Sequence, residues 1–108
     1  MAYDEALADR VRAQLAGEDA LTERKMFGGI AWMLSGNMAV GLMKDGMLVR
    51  LGEQAEAAAS EPHASQPVMG TRPMKGMVLV APDGVASEEQ LGAWVERGAA
   101  VARSLPPK

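Results

Sequence analysis

The chain carries one imidazole, His63 in the run Glu61-Pro62-His63, and no cysteine. The missing thiols remove disulfides, thiolate metal sites and cysteine nucleophiles. A serine triad would have to recruit His63, yet Ser35 stands in a Ser-Gly-Asn turn. It lacks the Gly-x-Ser-x-Gly elbow that lifts a nucleophile between strand and helix. A zinc site would rest on His63 and carboxylates alone, with no second histidine at helical spacing to orient it. Residues 36–41, GNMAVG, have the spacing of a phosphate loop. Leu42-Met43 follows where a lysine and a hydroxyl residue are required, and the run lies in a hairpin, so the match is accidental. No catalytic residue, metal or cofactor is expected, and the chain reads as a non-enzyme.

Arg24, Lys25, Arg72 and Lys75 are the candidates for an anion-binding patch. If all four met phosphates of duplex DNA, affinity would fall with salt at a log–log slope of about −3.6. The charge balance speaks against that use. Net charge is −3, and the isoelectric point is near 5.1, whereas duplex-binding domains usually exceed about 9. Charge is also unevenly spread. Residues 1–23 hold Asp4, Glu5, Asp9, Glu18, Asp19 and Glu23 against Arg10 and Arg12, whereas residues 24–81 carry a net positive charge. Direct nucleic-acid binding is not expected.

These residues need elements to hold them. At 108 residues the chain is one domain, residues 1–108, large enough for a single core without staples. No run approaches the ~20 apolar residues of a membrane span, and the acidic start is unlike a signal peptide. A cytoplasmic protein is expected. Tyr3, Leu7, Val11 and Leu15 recur at i+4 and predict a helix over residues 3–16. Ser35-Gly36-Asn37 and Asp45-Gly46 are hairpin signals, which gives strands near residues 25–34, 38–44 and 47–51. Ile30, Trp32 and Leu34 share one strand face with Met26, while Phe27 and Met33 take the other. That pattern predicts a sheet covered by helices on one face and partly by a partner or helix on the other.

Residues 53–60 predict a short helix ended by Pro62, and residues 61–67 a loop. A strand pair follows, VMGT with GMVLVA at residues 76–81, and then a turn at Pro82-Asp83-Gly84. Ser87 with Gln90 forms a capping box. It opens a last helix whose Leu91, Trp94, Val95, Gly98, Ala102 and Leu105 fall on one face. The expected class is α+β, a two-layer sandwich ordered α-β-β-β-α-β-β-α with an antiparallel sheet.

Residues 24–52 spend six glycines and five methionines where strand formers usually dominate. Gly28-Gly29 within a strand costs up to about 1 kcal/mol per residue. The pair fits a bulge or bend that lets a helix approach closely, or a point where a ligand or partner backbone comes near. The methionines fit irregular core gaps, or an adaptable binding face.

Met26-Phe27-Gly28-Gly29, Gly36-Asn37-Met38 with Gly41, Val49-Arg50-Leu51-Gly52 and Arg72-Pro73-Met74-Lys75-Gly76 resemble, in order and spacing, the N-terminal domain of the TfoX/Sxy family of competence-linked bacterial regulators. The likeness runs over nearly the whole chain. It implies a two-layer α/β domain with an antiparallel sheet like that of secretion chaperones, a scaffold that commonly dimerises or holds other proteins. Family regulators often continue into a helical C-terminal domain; with residues 1–108 read as one domain, a stand-alone form is expected here. The family commonly reads Thr-Gly before Arg-Pro-Met, where this chain has Gly70-Thr71. The expected function is a regulatory module that binds protein, as a homodimer. Its surface cluster would be Met26, Phe27, Gly28, Gly29, Arg50, Arg72, Pro73 and Met74, with both arginines giving directional contacts to carboxylates. Both could instead be tied to Glu53 or Glu56 within the chain. The alternative is a small-ligand or enzymatic pocket near His63, Arg50 and Arg72.

Overall fold

A computed structural model of the chain describes residues 3–26 and 28–108. Asp4 caps the first helix, α1 (Glu5–Leu15), its Oδ1 accepting from the amides of Ala6 and Leu7 at 2.9 and 3.1 Å. Those bonds satisfy two donors that a helix start leaves open. Tyr3, Leu7, Val11 and Leu15 are buried along one stripe, as their spacing requires.

Four antiparallel strands follow: β1 (Leu21–Met26), β2 (Gly29–Leu34), β3 (Asn37–Met43) and β4 (Gly46–Arg50). The single strand expected over residues 25–34 is thus two strands with a reversal between them. Gly28 sits at φ +76°, in the left-handed region open to glycine. A Cβ on Gly29 would stand 2.2 Å from the Leu42 carbonyl oxygen. What comes close to Gly29 is the backbone of β3 and no helix. The bulge lies one pairing further on, where the β2–β3 register shifts between Trp32 and Met33. There Ala39 and Val40 are both fully buried. The β2–β3 hairpin turns on Ser35 and Gly36, both at positive φ, the conformation of a tight two-residue loop.

Past β4 the helix expected over residues 53–60 is shorter, a 3-10 turn Gly52–Gln54 leading into α2 (Ala55–Ala58). The expected loop contains a two-residue strand, β5 (Ala64–Ser65). Val68–Met69 (β6) pairs with Arg72–Pro73 (β7) as a separate hairpin and not with GMVLVA. Gly70, at φ +65°, opens its two-residue turn, which is where that turn class places glycine. The strong segment, β8 (Met77–Val80), pairs with β4 on one side and β5 on the other. The main sheet therefore runs β1-β2-β3-β4-β8-β5.

After a 3-10 turn over Pro82–Val85, the capping box forms as expected. Ser87 and Gln90 exchange bonds of 3.0 and 3.1 Å at the start of α3 (Glu88–Ser104). Leu105 lies just past the end of α3 and is half-buried. α3 packs across β2, β3 and β4, and α1 packs on α3. A Cβ on Gly98 would meet the Ala39 carbonyl oxygen at 2.5 Å, so the close helix–sheet approach is made here, at the bulge. The core lies between the layers. Ile30, Trp32, Val40, Leu42, Met47, Val49, Val78 and Val80 from the sheet meet Leu7, Val11, Leu91, Trp94 and Val95 from the helices. The result is an α+β fold of two layers with an antiparallel sheet, as expected. Among the described residues no helix is long and apolar enough to cross a membrane.

Candidate functional site

Side chains alternate along a strand, so the core residues fix what the other face carries. That face holds Ala31 and Met33 of β2, Met38, Gly41 and Met43 of β3, Leu48 of β4, and Met77 and Leu79 of β8. None of α1, α2 and α3 packs over it, because the core has drawn all three to the opposite side. Met43 is 36% exposed, and Met33, Met38, Met77 and Leu79 are half-buried. Ala31 and Leu48 lie flush between these larger neighbours, outside the core cluster. Ala31, Gly41 and Leu48 are successive partners across three strands. The two small residues make a shallow trough, and the terminal methyl of Met38 fills it at Gly41, 2.9 Å from where a Cβ would stand.

Charge separates by layer. On the helices, Arg10 pairs with Glu88, and Arg12 with Asp9 and Glu23. Arg97 grips both oxygens of Glu61, and Arg103 joins Glu18 to Glu96. Hydrogen bonds from these guanidinium groups hold Glu18, Glu23, Glu61 and Glu96 below the usual carboxylate range, against the opposing cost of burial. Glu23 also accepts from Trp32 Nε1 at 2.9 Å. In the sheet half the cations are Arg24, Lys25, Lys44, Arg50, Arg72 and Lys75. Among the described residues none of them makes an ion pair or a side-chain hydrogen bond. The ties from Arg50 and Arg72 to Glu53 or Glu56 are accordingly not formed. Strand parity puts Arg24 and Arg50 on the open face, with no carboxylate beside them on its strands.

The expected cluster is divided by this topology. Met26 ends β1, Gly28 lies in the reversal and Gly29 starts β2, while Phe27 lies outside the described residues. Arg50 ends β4 opposite Met77. Register puts Gly29 level with Gly46, so Arg50 stands about 13 Å further along the strands and about 10 Å across them. Arg72 and Pro73 belong to the β6–β7 hairpin, which Met74 closes by donating its amide to the Pro67 carbonyl at 2.8 Å. That hairpin leads to the Arg50 end, where the Gly76 carbonyl accepts from the amides of Leu51 and Gly52. Arg24 and Lys25 are on β1, whereas Arg72 and Lys75 precede β8, four strands over. The four do not form one patch on the sheet.

His63 is exposed, at φ +68°, and its carbonyl accepts from Ala81 at the far end of β8 from Arg50. An imidazole there does not face either arginine across one pocket. An open depression of ≈ 560 Å³ near the hairpin is lined by Gly52, Glu53, Glu56, Gln66, Pro73 and Lys75, without His63, Arg50 or Arg72. Among the described residues no three His, Asp or Glu side chains converge as metal ligands. Strand parity, already visible at Met33, is the signal that finds the face residues outside the motifs. It marks Met43, Leu48, Met77 and Leu79 once the strands are correctly divided, whereas Met38 joins this face only through the bulge in the β2–β3 register.

Fold and face together define a two-layer α+β domain with one sheet surface left open. The family model described as the TfoX N-terminal domain matches residues 13–102, and the chain belongs to that family. Membership supports a regulatory type of domain. Searches of curated proteins and of solved structures found no match.

Proposed function

We propose that this chain is a regulatory protein-interaction module that works by binding another polypeptide on the open face of its sheet, without covalent chemistry. The observation that carries the reading is the row of Met33, Met38, Met43, Met77 and Leu79 around buried Leu48, on the sheet face that none of the three helices covers. Methionine is suited to such a surface, being apolar yet able to adapt its shape to a partner. Family membership and the dispersal of His63, Arg50 and Arg72 support the same reading. Sedimentation at increasing concentration tests the expected homodimer.

The experiment is a Met33→Glu, Met43→Glu double variant compared with the natural chain. Both residues point away from the core, so the melting temperature should move by only a few degrees. Self-association, or recovery of partners from the native cell, should fall at least tenfold. A folded variant that retains all its associations removes the open face as the binding surface.

A further inference from the structure

We propose that the partner seated on this face is an amphipathic helix carrying acidic residues about eleven positions apart. The inference rests on the docking-face reading above. On the open face the strands present two charges, Arg24 and Arg50, and neither has a carboxylate partner among the described residues. The helical arginines, by contrast, are neutralised within the chain. A second copy placed face to face would set these arginines against like charges, with no acid on either strand surface to offset them. Duplex phosphates would find an apolar floor between two isolated cations, unlike the broad basic footprint they need. A polypeptide with an apolar stripe and flanking carboxylates meets both the floor and the charges.

The register sets the spacing. Arg24 is level with Ala31, Gly41 and Leu48, and Arg50 lies two residues beyond Leu48. Three strand spacings of ~4.8 Å and two residues of ~3.3 Å separate the arginines by roughly 16 Å. A helix rising ~1.5 Å per residue covers that in about eleven residues, which is also about three turns and returns to the same face. The diagonal between the arginines starts level with Ala31 and Gly41, the low points of the sheet, and crosses β3 nearer Met38. Met33 and Met38 stand alongside, and the Met38 methyl can swing aside. Bidentate arginine contacts would fix the helix axis and its register on the face.

The probe is a synthetic 20-residue helical peptide with a leucine stripe and glutamates eleven positions apart on its flank. A control carries lysines at those two positions. Binding to the full chain is read by fluorescence anisotropy at low salt. The acidic peptide should bind at least tenfold tighter than the lysine peptide, and the Arg24→Glu, Arg50→Glu double variant should reverse the preference. Equal binding of both peptides, lost in Met33→Glu, Met43→Glu, overturns the acidic-helix inference and leaves the docking face standing. Binding of neither peptide overturns the inference, and associations that persist in the methionine variant overturn the docking face as well. A concentration-dependent dimer that excludes the acidic peptide, or displacement of the peptide by a 20-base-pair duplex, assigns the face to those partners instead.

Discussion

Trp32 is fully buried, and its indole N–H has one partner, the Glu23 carboxylate, which Arg12 holds from α1. Glu23→Ala should therefore cost about 1–3 kcal/mol, the penalty for a buried donor left without its acceptor. Glu23→Gln, which keeps an acceptor oxygen, should recover part of it; urea titration of the three proteins measures both. Gly98→Ala would press a methyl onto the Ala39 carbonyl and should destabilise by about 1–3 kcal/mol. Gly92→Ala on the same helix meets only the side chain of Gln14 and should be neutral or mildly stabilising. The sequence makes Gly28-Gly29 conspicuous, because paired glycines are costly in a strand. It does not reveal that the close neighbour of Gly29 is the carbonyl of Leu42, since that contact exists only after β2 and β3 have paired. Gly98 gave even less warning, lying at an apolar helix position where glycine reads simply as small.

Elements that are specified by local chemistry were legible. The Ser87–Gln90 box marks a helix start through bonds within one turn, and alternation assigns Ile30, Trp32 and Leu34 to the core. Elements that depend on distant pairing were not. Residues 25–34 read as continuous because Gly28 can belong to a strand or a turn. β5 and β6 are two residues each, and their partners alone define them. Ion pairs join these elements across the fold, Glu18 to α3, Glu23 to α1 and Glu61 to α3. Because these carboxylates titrate below the unfolded value of 4.5, the unfolded chain binds protons first as pH falls. The stability they contribute is complete above pH 4.5 and is lost as pH drops through their lowered folded values. The melting temperature should be flat from pH 7 to 5 and decline below pH 4.5, and Arg97→Met should make that decline shallower. A decline that begins near pH 6 would contradict this origin.

At the scale of the whole molecule, burial and charge are arranged by layer. The helices sit on one face of the sheet and their arginines pair with carboxylates of the helices, the loops and β1, leaving the second face apolar with two arginines on it. The family could be read from the ordered motifs, and so could the α+β class. The placement of the candidate site could not, because motif residues near one another in sequence, such as Gly29 and Arg50, separate to opposite ends of the sheet. The methionines provide their own probes of the central claim, that the open face is where a partner binds. Peroxide footprinting, read by mass spectrometry, compares the purified chain with the chain in native cell extract. In the purified chain Met33, Met38, Met43 and Met77 should oxidise readily, while core Met47, fully buried, resists. In extract those four should be protected together, with Met47 unchanged. Equal oxidation of the four in both settings would contradict the account.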